Sequence, residues 1–183
     1  MTYDLMHFLH DLGALGIAVA FAIEGLALYG IRQANTAENA RTWLDTRHWL
    51  MPIGTTSMAV ILVTGFYALM VQFSWQPWIV MSLIGLVAIV ILGGTVTGVT
   101  LTRLERELRS ARGPLTNEAR AHILNSALVI SLTTRIALVI GIVFMMVAKP
   151  ALPVSTLTLV LASVMGAAIG VSLSPAPKPH TVA

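Results

Sequence analysis

The chain has 183 residues, of which 56% are hydrophobic and only 10% are charged, with a net charge of +3. A soluble domain carries about 25% charged residues, so the composition excludes an ordinary water-soluble fold. Cysteine is absent, which excludes disulfides, thiolate metal sites and thiol redox chemistry.

Five apolar stretches account for the excess: roughly Phe8 to Ile31, Trp49 to Phe73, Trp78 to Thr102, Ile123 to Ala148 and Val154 to Leu173. Each approaches or exceeds the ~20 residues a helix needs to cross about 30 Å of hydrocarbon. The runs are apolar on every face, whereas barrel strands alternate. The reading is therefore all-α, a bundle of five transmembrane helices within residues 1–174. A proline-rich tail, residues 175–183, is expected to be disordered. The first stretch lacks a basic n-region and carries Asp4, Asp11 and Glu24, so it reads as a retained helix and not a signal peptide.

In chain order, the first span is rich in small residues (Gly13, Gly16, Ala20, Ala22) and ends near Gly30. The polar segment from Asn35 to Asp45 predicts a short surface helix. Pro52 falls near the start of the second span, where a missing N–H costs little. Gln76-Pro77 makes a tight turn before the third span. That span continues past the membrane from Thr102 to Arg112 as a solvated extension suited to docking, with Glu105 and Arg109 at i,i+4. Gly113-Pro114 stops it. Thr116 caps the next helix, with Glu118 in its first turn facing the positive dipole end. Pro150 and Pro153 bracket the last turn. Gly94/Gly98 and Gly166/Gly170 are small-xxx-small pairs, which let helices approach closely inside the bundle or between two copies.

Arginines set the orientation. Arg32, Arg41 and Arg47 fall in the first loop, and Arg103, Arg106, Arg109, Arg112 and Arg120 in the third. The second loop has no Lys or Arg, and the fourth has only Lys149. This bias predicts an N-terminus outside and a C-terminus inside, in a cytoplasmic (inner) membrane of bacterial type. Tryptophan agrees, with Trp43 and Trp49 at the inner interface and Trp75 and Trp78 at the outer one. The same rule accounts for the basic balance without a nucleic-acid partner. The partners expected are the lipid bilayer and other membrane subunits or a second copy.

Two charges lie inside apolar runs. Glu24 is about seven residues from the inner end of its span, roughly 10 Å deep at 1.5 Å per residue. The same level falls near Thr55, Thr56 and Ser57, near Thr95 and Thr97, and near Ser131, with Thr134 and Arg135 somewhat deeper. Ser163 is the nearest polar group on the last span. A lone charge there costs at least about 2.5–3.5 kcal/mol. Glu24 and Arg135 offset each other if they pair, either as a lock for the bundle or as a proton or ion step.

Asp4, His7, His10 and Asp11 crowd the outer end of the first span. His7, His10 and Asp11 share one helical face, and Met6 stands i,i+4 from His10. Imidazole with carboxylate suits a divalent metal, thioether suits copper, and histidine suits haem. His48 and His122 form a second candidate pair at the inner interface. The run Phe8-Leu9-His10-Asp11-Leu12-Gly13-Ala14 resembles the first-helix LH-x-LGA pattern of small membrane proteins of the copper-resistance CopD type. That resemblance implies copper handling or haem association, with His10 the matching residue. The Trp-x-Gly-Gly that often follows is replaced by Gly16-Ile17-Ala18-Val19.

No GxSxG, Walker, GxGxxG or HExxH motif occurs. The nine methionines lie mostly in apolar spans and read as packing residues. Three functions follow, in order: a non-catalytic accessory or structural component of a membrane complex, a small-solute or proton/ion transporter using Glu24 and Arg135, and a haem- or copper-binding protein using His10. An enzyme ranks last.

Overall fold

The computed structural model describes residues 2–174, without the side chains of Trp49 and Leu50. The tail expected to be disordered and the interfacial place of Trp49 lie outside the described residues. The order of elements is α1 (Thr2–Gln33), α2 (Ala37–Val71), α3 (Pro77–Ile91), a π-helical stretch (Leu92–Gly98), α4 (Val99–Leu108), α5 (Asn117–Ile123), α6 (Ser126–Ala148) and α7 (Leu152–Ser172). Among the described residues the structure is all-helical, and 5 rods are long and apolar enough to span a membrane. These are α1, α2, the continuous rod Pro77–Leu108, the rod Asn117–Ala148 and α7.

Small residues choose the pairings. Along the antiparallel α1–α2 hairpin, a methyl group added at Gly13 would lie 3.2 Å from the Ser57 carbonyl oxygen and 2.9 Å from Ile61. One added at Gly16 would collide with the Ser57 hydroxyl, and one at Gly54 would meet Ala20 at 3.5 Å. The α6–α7 hairpin has its own seam. A Cβ on Gly166 would come within 2.6 Å of the Thr134 backbone, and one on Gly170 within 2.5 Å of the Ile130 backbone. Thr133 Oγ1 ties this seam by donating to the Gly166 carbonyl at 2.7 Å. In lipid, close approach of this kind replaces the hydrophobic effect as the source of helix association. The third rod joins the hairpins, with α3 against α6 and α7 and α4 against α2 and α5.

The arginine-rich end is a packed layer. Leu101, Leu104 and Leu108 of α4 are buried against Ile31, Ala37, Ala40, Leu44, Ala119 and Ile123. The layer is laced by Ala37 N–H to Gly113 O at 2.9 Å, Gly113 N–H to Glu38 Oε1 at 3.0 Å and Arg41 to Ala111 O at 2.7 Å. Trp43 packs so closely on Gly30 that any side chain there would enter its ring. Gly113 takes φ +78°, a conformation glycine adopts at no steric cost.

Three expectations are corrected here. The surface segment and second span form one 35-residue helix, capped at Thr36, whose Oγ1 accepts from Asn39 N–H at 3.3 Å. Pro52 is therefore inside α2 and not near its start. The α4 extension is not a free arm, because its leucine face is buried and only its charged face is solvated. Thr116 does cap α5, accepting from Ala119 N–H at 3.2 Å, with Glu118 in the first turn.

Candidate functional site

The intramembrane charges meet. Arg135 donates from Nη1 to Glu24 Oε2 at 3.1 Å and from Nη2 to Glu24 Oε1 at 2.5 Å. Nη2 also reaches Thr97 Oγ1 at 3.1 Å, and Nε donates to the Ser131 carbonyl at 3.3 Å. Every nitrogen of the guanidinium is engaged, and the Phe21 ring lies 5.2 Å from its central carbon. Two-pronged pairing of this kind is the strongest geometry available to arginine and carboxylate. The side chain of Arg135 is 6% exposed and that of Glu24 17%.

The π-helical stretch makes room for this centre. Thr97 bonds Ser131 at 3.1 Å, and Ser131 Oγ donates to the Leu92 carbonyl at 3.2 Å. A Cβ on Gly93 would lie 3.3 Å from Arg135 Nη1, so glycine lets the guanidinium rest against this backbone. Such short π segments tend to occur where function or strain interrupts a helix.

Of the hydroxyls expected at this level, Thr97 and Ser131 join the pair. Thr55 and Thr95 instead donate to their own helices, at Met51 O (3.0 Å) and Ile91 O (2.7 Å), and are exposed, as is Thr56. Ser163 donates to Leu159 O at 2.8 Å. Thr134 is buried under Gly166. The Gly166/Gly170 pair packs on α6, whereas a Cβ on Gly94 would meet nothing within 4 Å. Phe21 and Gly93 escaped the sequence reading. The Gly93-Gly94 doublet inside an apolar span was a signal for close backbone approach, but Phe21 carried none.

The histidine cluster divides. His7 pairs with Asp11 at 3.3 Å on an exposed face. His10 turns to α2, where its Nδ1 lies 3.0 Å from Thr64 Oγ1. His122 pairs with Glu107 at 3.0 Å, and His48 is exposed elsewhere on α2. Among the described residues no group of three or more His, Cys, Asp or Glu side chains gathers where it could hold a metal ion. The residues do not fit a resident copper ion, and His10 alone is one axial ligand for a haem.

A second feature is lined by neither Glu24 nor Arg135. A cavity of about 380 Å³ opens between α1, α2, α3 and α6, lined by apolar side chains together with Tyr3, His7, His10, Thr64, Gln72, Ser82 and Lys149.

Five apolar rods with a charge pair sealed between them define a polytopic helical membrane protein. Residues 4–150 match the model of a family described as predicted integral membrane proteins, DUF2269, and the chain belongs to that family. No curated protein and no solved structure matches the chain.

Proposed function

We propose that the protein is a non-catalytic accessory component of a membrane assembly, with its arginine-rich end on the cytoplasmic side of a bacterial inner membrane. The observation that carries this reading is the open notch at Gly94. Gly94 and Thr95 are exposed on the third rod, and nothing occupies the space above Gly94. Val87, Val90 and Ile91 flank the notch as exposed apolar side chains. In lipid, a bare glycine on an outward face is where a further helix approaches most closely. The saturated Glu24–Arg135 pair supports a fixed scaffold, since a proton carrier must exchange its partners.

The chain has no cysteine, so Thr95→Cys introduces a single reactive thiol facing the notch. Cross-linking in native membranes is expected to join it to a second chain, while Leu157→Cys on the exposed face of α7 gives no product. Equal yields at both sites, or none, with a monomer in mild detergent, overturn the reading. A second reading, ion-coupled transport, draws on the 17% exposure left to the Glu24 side chain. It requires that Glu24→Gln abolish flux in proteoliposomes while the fold survives. The accessory reading expects no flux in either protein.

A further inference from the structure

Among the polar side chains lining the cavity at the end opposite the arginines, two offer an atom that the fold does not pair. One is His10. Thr64 Oγ1 lies 2.6 Å from the Val60 carbonyl, so its single proton is committed there. Nδ1 of His10, 3.0 Å from the same oxygen, must then be the donor. In the neutral ring this leaves Nε2 as a bare acceptor, its tautomer set by the hydrogen bond on the other nitrogen. The second anchor is Ser82, which is 7% exposed and whose hydroxyl has no hydrogen-bond partner. A buried hydroxyl left unpaired calls for a ligand or an explanation. Both residues line the same cavity.

Access and shape narrow the occupant. The volume of about 380 Å³ falls within the range of small-molecule sites. Leu62, Phe66 and Leu83 line the cavity and are also exposed on the outside of the bundle, so it opens sideways toward lipid. Its floor of Ile17, Met58 and Ile89 is apolar. An acyl chain would leave both anchors unpaired. An anionic head group would face the Nε2 lone pair, and the nearest cation, Lys149, stands at the rim with its ammonium 5.0 Å from the Phe73 ring. Two anchors on two walls, one an acceptor and one a hydroxyl, call for an apolar ring carrying a hydroxyl donor and a second oxygen.

We propose that this cavity binds a lipid-soluble quinol, one hydroxyl donating to Nε2 of His10 and the other oxygen bonding the Ser82 hydroxyl. This stands apart from the accessory reading, since the notch at Gly94 plays no part in it.

The test uses the full chain in phosphatidylcholine nanodiscs, titrated with a decyl-substituted benzoquinol and, separately, with its dimethyl ether, which lacks the donor. Trp75 and Trp78 line the cavity and report occupancy by fluorescence quenching. Saturable quenching by the quinol is expected, with the ether weaker by about tenfold, the effect of one lost hydrogen bond. Ser82→Ala removes an unpartnered group, so it folds like the parent, and its affinity for the quinol is expected to fall by a similar factor. His10→Gln should weaken the quinol and leave the ether unchanged. Equal affinity for quinol and ether overturns the proposal in favour of a cavity filled by acyl chains. Absence of saturable quenching, or unchanged affinity in Ser82→Ala, overturns it as well.

Discussion

At the arginine-rich end, Thr97, Ser131, Glu24 and Arg135 satisfy one another and a leucine layer closes over them. At the opposite end, the same helices enclose a cavity where Ser82 is buried without a partner and His10 keeps one nitrogen free. The contrast lies in what the helices place between them. The π-helical stretch and Gly93 bring the third rod's backbone against Arg135. Nearer the other end, the third rod meets α6 and α7 through bulkier contacts, with Ile142 of α6 and Leu159 of α7 against Gly85, and a void remains toward α1 and α2. Polar groups in lipid are affordable where they are mutually complete, and incomplete ones mark places where something else can bind.

Four tests bear on this contrast. The largest effect is expected at the clamp. Glu24→Ala leaves Arg135 buried and unpaired and should destabilise the protein by about 3–5 kcal/mol. Combining it with Arg135→Met should recover most of that loss, as measured by reversible unfolding in detergent. Additive losses would show that the two residues are not coupled. Next comes the α6–α7 seam. Gly166→Ala forces a methyl group against the Thr134 backbone at 2.6 Å, which cannot yield as a flexible side chain would. A loss of about 1–3 kcal/mol is expected from such overpacking. An unchanged melting temperature would refute the closeness of that contact.

The comparison is sharpest in a pair of serines. Ser131→Ala removes a hydroxyl bonded to Thr97 and to the Leu92 carbonyl, and should cost about 1 kcal/mol. Ser82→Ala removes an unpaired one and should be neutral or stabilising. The same sign and size at both positions would erase the distinction between the ends. The smallest effect is expected at Gly94→Ala. Space is open there, and alanine gains up to about 1 kcal/mol of helix propensity over glycine, so the fold should hold or improve. The prediction is checked by thermal unfolding beside Gly166→Ala.

Much of this was legible in the chain. Runs of apolar residues longer than a bilayer crossing specify five membrane-length rods whatever their neighbours do, because no water is present there to satisfy a non-helical backbone. Glu24 and Arg135 stood out because each is a charge within such a run. The Thr116 cap and the Gly113 turn were local, so local residues sufficed to find them. Rotation and register were not local. Counted from a span beginning at Trp49, Thr55 and Thr56 fall level with Glu24. The α1–α2 seam pairs Gly16 with Ser57 and Ala20 with Gly54, which brings Glu24 toward residues nearer the start of α2. Thr95 and Thr97 are two residues apart, yet one is exposed and the other is 2% exposed, because residues two apart fall on nearly opposite sides of a helix. Hydropathy records depth along a helix axis, whereas the direction a side chain faces depends on which small residues dock. Only the tertiary structure decided which hydroxyls complete the ion pair, which histidine nitrogen stays free and where a cavity remains.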